Sequence, residues 1–155
     1  MENNLKSAGR YQVTVYDGSA MTVKTVSGKE KNAFKPEAYD LYYSPPDGVL
    51  AFRDADGNWV EYRGQWPRFG PKCIGILQAI LLNPGDFLTP AAIAELTAFE
   101  SLRENTVLAA RVFAMRKSLR DPGTRFVETR TSNGYAIRWP RGRSFLWVEL
   151  IPSAL

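Results

Sequence analysis

Histidine is absent from this 155-residue chain, and cysteine occurs once, as Cys73. A single thiol excludes an intramolecular disulfide, and no set of thiolate and imidazole ligands can be assembled for a structural zinc. The Ser-His and Cys-His pairings that most nucleophilic catalysis needs are equally out of reach. No metal, no other cofactor and no enzymatic activity are therefore expected. Long apolar runs are missing too: the longest, Ile74 to Leu82, is broken by Gly75 and Gln78 and is far too short to span a bilayer. The opening Met-Glu-Asn-Asn-Leu-Lys lacks the basic and then apolar pattern of a signal peptide. These absences predict a cytoplasmic protein with no membrane partner.

What the chain does contain is enough apolar residue, 45% against 23% charged, for one compact domain with room for an appended subdomain. The net charge is +4 and the pI about 9.3. That charge is unevenly placed. Residues 1–69 carry nine basic and nine acidic residues, whereas 103–143 alone carry ten basic (Arg103, Arg111, Arg116, Lys117, Arg120, Arg125, Arg130, Arg138, Arg141, Arg143) against three acidic. Such a concentration is the electrostatic footprint of a phosphate-binding surface, although charge runs are also commonly just solvated faces.

Met1 to Arg10 is polar and reads as a frayed terminus. Tyr11–Tyr16 and Met21–Val26 alternate with period two around Asp17-Gly-Ser, a first hairpin. Ser27 to Pro36 reads as a loop. Tyr39–Tyr43, Val49–Phe52 and Trp59–Tyr62, separated by strong turn signals, complete an antiparallel β subdomain over 11–69. The period then changes. Pro71 opens a helix whose Ile74, Leu77, Ile80 and Leu81 form an apolar stripe, stopped by Asn83-Pro-Gly85. Thr89 caps a second helix beginning at Pro90, with Ile93 and Leu96 pointing inward.

A third helix runs from Asn105 to Leu119, with Asn105 or Thr106 as its cap. At 100° per residue Leu108, Val112, Met115 and Leu119 share one narrow stripe, which must be the buried face. Thr106, Ala110, Phe113 and Lys117 then face outward, with Arg103, Arg111, Arg116 and Arg120 beside them. After Asp121-Pro-Gly, residues 126–139 alternate about Ser132-Asn-Gly134 as a hairpin. The expected fold is α+β: a winged helix-turn-helix of three helices and a C-terminal hairpin over 70–140, preceded by a small antiparallel sheet. Residues 141–155 form a last strand or apolar tail, covering the domain's own sheet or making a dimer contact.

Gly70 to Trp139 resembles the C-terminal effector domain of the OmpR/PhoB family of response regulators. The likeness rests on Ile76-Leu-Gln-Ala-Ile-Leu-Leu-Asn-Pro-Gly85, Leu88-Thr-Pro90, Met115-Arg-Lys-Ser-Leu119, Val127-Glu-Thr129 and Gly134-Tyr135. It implies a regulator that places its third helix in the DNA major groove and a wing arginine in the minor groove, here without a receiver domain. Aligned on Gly134-Tyr135, the wing arginine's position is Thr131, with Arg130 one residue earlier and Arg138 on the return strand. The expected partner is double-stranded DNA, contacted by Arg103, Thr106, Arg111, Phe113, Arg116, Lys117, Arg120, Arg130, Thr131 and Arg138, with Arg125, Arg141 and Arg143 near phosphates. A protein-interaction module using the Ala/Phe face of the third helix or the aromatic sheet is the alternative, with a homodimer or another chain as partner. A carboxylate site at Asp54, Asp56 and Glu61 would be needed for an enzyme, and those residues sit in an Asp-Gly turn.

Overall fold

Strands β1 (Arg10–Tyr16) and β2 (Met21–Ser27) form the expected hairpin, closed by the Asp17 carboxylate, which accepts from the amides of Ser19 and Ala20 at 2.8 Å each. The computed structural model to which they belong describes residues 9–66, 68–121 and 125–152. Residues 1–8 of the expected frayed terminus Met1–Arg10 and the Pro122-Gly123 turn lie outside these, whereas Arg10 is paired in β1 with Ser27 and Ile151. The chain divides into two compact units, one made of Met1–Gln65 with Ser144–Leu155, the other of Trp66–Arg143.

The first unit is a six-stranded sheet. Beyond the hairpin come β3 (Leu41–Ser44), β4 (Val49–Arg53) and β5 (Trp59–Arg63), which pair antiparallel in sequence order. Joining the two groups is β8 (Phe145–Ile151), antiparallel to β1 along its whole length and parallel to β3. The strand order is therefore β2-β1-β8-β3-β4-β5. The start of the parallel pair is pinned reciprocally. The Asp40 amide donates to Ser144 Oγ at 3.0 Å, and the Ser144 amide donates to Asp40 Oδ2 at 2.9 Å.

One face of this sheet is a continuous apolar cluster of Tyr11, Val13, Val26, Tyr42, Val49, Ala51, Leu146 and Val148. The other carries Leu41, Leu50, Phe52, Tyr43 and Trp147, with Tyr16 stacked on Phe145 at 5.6 Å. This is the period-two pattern of a sheet apolar on both sides.

Where a loop is expected over Ser27 to Pro36, the chain forms helix α1 (Gly28–Asn32). Ser27 Oγ accepts from the Glu30 amide while the Glu30 carboxylate accepts from the Ser27 amide, a capping box that satisfies two otherwise orphaned donors. Lys31 fixes this helix in place: its ammonium lies 2.8 Å from the Asp47 carboxylate and over the Tyr11 ring.

The second unit contains α2 (Pro71–Leu82), α3 (Pro90–Thr97), α4 (Asn105–Ser118) and a hairpin of β6 (Glu128–Arg130) and β7 (Ala136–Arg138). Pro71 and Pro90 each occupy a first-turn position where no amide donor is needed, and Thr89 Oγ1 caps α3 by accepting from Ala92. Leu77, Ile80, Leu81, Ile93, Leu102, Leu108, Val112, Met115, Leu119, Phe126, Ile137 and Trp139 are all buried. Leu96, expected to point inward, is instead 52% exposed. α4 has no side-chain cap: Glu104 precedes it, and neither Asn105 nor Thr106 fills that role.

The expected three-helix winged helix-turn-helix with a small antiparallel sheet in front of it is thus overturned. The described residues form a six-stranded mixed sheet and four α-helices. The physical reason is β8, whose seven residues enter the sheet's interior rather than lying beyond the hairpin as a tail, and thereby make the sheet large and mixed.

Because Leu146 lies in the apolar cluster at 1% exposure, Leu146→Ala is expected to lower stability by about 2–5 kcal/mol. Asp40→Ala, which removes the acceptor of the Ser144 amide, should cost about 1–3 kcal/mol. Urea denaturation of each variant measures both.

Candidate nucleic-acid interface

α4 presents the residues that periodicity assigns to the outside. Leu108, Val112 and Met115 are buried, and Thr106, Ala109, Ala110, Arg111, Phe113 and Lys117 are exposed. Its fourteen residues include no acid. Phe113 is 62% exposed, the most open large apolar residue among those described, and Lys117 Nζ sits 4.6 Å from its ring centroid. That cation–π contact keeps the ammonium on the outer face while covering one side of the ring. Arg111 projects outward while its carbonyl accepts from the Cys73 thiol at 3.7 Å, tying α2 to α4. Burial pushes the Cys73 thiol up, so the one cysteine is a packing residue and not a reactive thiolate.

The remaining expected contacts separate into two groups. Arg103 and Arg120 are exposed at the two ends of α4. Arg103 is bound to Glu100 at 2.6 Å, in a bidentate arrangement that lowers the Glu100 carboxyl first by hydrogen bonding and then by charge. Arg120 adopts a left-handed backbone (φ 49°) where the chain leaves the helix. The Asp121 carboxylate then accepts from the amides of Arg125 and Phe126, which redirects the chain toward the hairpin.

Arg116, Arg130 and Arg138 are half-buried and held by the protein itself. Arg116 donates through a terminal nitrogen to the Val127 carbonyl. Arg138 pairs with Glu128 at 2.7 Å, donates to the Gly85 carbonyl at 3.1 Å and lies 4.2 Å from the Phe87 ring centroid. Arg130 stacks on the same ring at 5.0 Å. Phe87, passed over in the sequence, is thus the platform on which two hairpin arginines rest. Its signal was available only as its nearness to Leu88, which exchanges two backbone hydrogen bonds with Ile137. Thr131 is exposed in the loop between the two strands, beside a tip where Asn133 and Gly134 take positive φ.

Between α4 and the hairpin lies an open groove of about 610 Å³. Thr106, Ala109, Val112, Phe113 and Arg116 line it from the helix, and Thr129, Thr131 and Tyr135 from the hairpin. The hairpin register makes this legible: Thr129 pairs with Ile137, so Thr131 and Tyr135, two residues away on each strand, share its face. Burial pushes the Tyr135 phenol above its ordinary value, opposed by the charge of Arg116.

Of the three carboxylates Asp54, Asp56 and Glu61, Asp54 closes a turn and Glu61 pairs with Arg63 at 2.7 Å. Asp54 is buried and its Oδ1 accepts from the amides of Asp56 and Asn58 at 2.9 Å each, an Asx turn closing the β4–β5 connection. No group of three or more potential metal ligands occurs among the described residues, and no helix among them is long and apolar enough to cross a membrane.

No protein-family model, no curated protein and no solved structure matches this chain.

Arg138→Met removes an ion pair, a hydrogen bond and a ring contact together, and is expected to lower stability by about 2 kcal/mol. Lys117→Met, on the open face, should shift it by less than about 0.5 kcal/mol. Denaturation followed by tryptophan fluorescence distinguishes the two classes of basic residue.

Proposed function

We propose that this protein binds duplex DNA through the outer face of α4, and acts in the cytoplasm as a transcriptional regulator. The observation that carries this reading is an acid-free helix whose exposed face combines Arg111 and Lys117 with Thr106, Ala110 and Phe113, and which ends at the exposed Arg120. A helix of this length is about 21 Å long, and the DNA major groove is wide enough to admit it. In that placement Arg111 reaches a guanine edge or a phosphate, Lys117 and Arg120 neutralise phosphates, and Ala110 and Phe113 meet thymine methyl groups. Arg103, paired with Glu100, contributes mainly position. Thr131 and the hairpin tip approach the backbone as neutral donors, whereas Arg130 and Arg138 hold the hairpin in shape.

Three phosphate neutralisations give a slope of about −2.7 for the logarithm of affinity against the logarithm of salt concentration, so raising salt from about 50 to 200 mM should weaken binding about fortyfold. A gel-shift titration with random duplex DNA measures this, and Arg111→Glu should abolish the shift. A salt-independent affinity would sink the proposal.

The exposure of Phe113 favours a second reading, in which the same face binds an acidic protein partner through its ring and Lys117. The two separate at one residue. Phe113→Ala leaves salt-dependent DNA affinity within about threefold if phosphates dominate, and removes a co-purifying partner if the ring is the anchor.

A further inference from the structure

The groove between α4 and the hairpin joins apolar walls to Arg116, a pairing that the DNA reading does not use. Its walls are largely apolar, formed by Ala109, Val112 and Phe113 on one side and the Tyr135 ring on the other. At about 610 Å³ it falls within the ordinary range of small-molecule sites. From Thr106 to Arg116 it follows the helix for about 15 Å, the length of two or three linked rings.

Among the described residues, Arg116 is the only charged one lining this groove, and none of them brings a carboxylate to it. The guanidinium donates to the Val127 carbonyl, but its Nε is buried with no hydrogen-bond partner, and Arg116 has no ion-pair partner among the described residues. A half-buried cation beside apolar walls, without a counterion, is an unfavourable arrangement that an incoming anion would relieve. Guanidinium groups bind carboxylates, sulfonates and phosphates with paired, charge-assisted hydrogen bonds. The other polar groups at the groove, the hydroxyls of Thr106, Thr129, Thr131 and Tyr135, are neutral and can donate to an anion without repelling it.

We propose that this groove binds a small organic anion with an aromatic or aliphatic body, its acidic group paired with Arg116 and its body between Phe113 and Tyr135. The anion's recognition rests on Arg116 and the groove walls and needs no nucleic acid to be present.

The test uses the full chain and two dyes of nearly the same shape. One is 8-anilinonaphthalene-1-sulfonate, which carries a sulfonate, and the other is N-phenyl-1-naphthylamine, which carries none. Fluorescence titration should show saturable binding of the sulfonate at one site. Arg116→Met should weaken the sulfonate at least about tenfold while changing the neutral dye less than twofold, and Arg116→Lys should recover part of the loss. Ala109→Trp adds bulk at an exposed position on the groove wall and should abolish binding of both dyes with the fold intact by circular dichroism. This variant keeps the question decidable even where Arg116→Met does not fold. Three results overturn the proposal: no saturable binding, equal loss of both dyes in Arg116→Met, or unchanged sulfonate binding in Ala109→Trp. None of these involves DNA, so failure here and failure of the DNA reading are read separately.

Discussion

The sheet of the first unit exists only because β8 supplies hydrogen bonds on both edges. It pairs with β1 on one side and β3 on the other, and without it the two groups of strands share no ladder. A two-stranded ribbon is marginal alone, so the β1–β2 hairpin depends on this strand for its place in a wider sheet. The apolar cluster depends on it in the same way, since Leu146 and Val148 lie between the contributions of β1 and those of β3 and β4. Pairing Tyr11 with Leu150 joins opposite ends of the chain, a closure whose entropic cost has to be met before the ladder returns anything. The second unit, whose helices and hairpin are built from nearer neighbours, is free to form before that closure.

Elements defined by local chemistry were legible from the residues, and those defined by long-range pairing were not. Pro71, Asn83, Thr89 and Pro90 bound α2 and α3 because caps and proline act within one turn. The stripe Leu108–Val112–Met115–Leu119 is buried as its spacing requires. By contrast, nothing in Phe145-Leu-Trp-Val-Glu-Leu-Ile distinguishes a central strand from an edge strand or a docking tail, because an apolar run bears the same marks in each case. The fold class failed at that point. α1 is a different kind of case. Ser27-Gly-Lys-Glu30 has the capping-box spacing, but Gly28, the short length and Pro36 favour a loop, and the contact that decides it is Lys31 with Asp47, far along the chain. Leu96 fits the apolar period of α3 and is still exposed, since an eight-residue helix has room to bury only part of its stripe.

Charge counting shows the same boundary between what is local and what is not. The basic excess over 103–143 suggests one continuous phosphate-binding surface, yet the arginines divide by what lies within reach of each. Arg130 and Arg138 find Phe87, and Arg138 also finds Glu128 and Gly85, so the two hairpin arginines closest to the expected minor-groove position brace the hairpin instead of projecting from it. Arg116 turns to Val127. The open cations are fewer and sit along α4, where the absence of any acid leaves their field uncompensated within the helix. A sum over sequence overstates the ionic contacts such a surface makes, because planar guanidinium groups are as well suited to intramolecular stacking and carbonyl binding as to phosphates.

Thr106 and Phe113 belong both to the outer face of α4 and to the wall of the groove. A duplex seated on that face and an anion seated between Phe113 and Tyr135 would therefore compete for the same two side chains. Their charges also oppose one another. On the proposed DNA reading, an anion beside Arg116 would reduce the positive potential along α4, so its effect on binding would be unfavourable in sign whatever its steric overlap. Linkage then requires the reverse: DNA must weaken the anion by the same factor. If both proposals hold, the two sites would be coupled negatively by geometry and by charge together. On that reading a small organic anion seated here would oppose DNA binding without any change of fold, since everything it touches lies on one helix and one hairpin of the same compact unit.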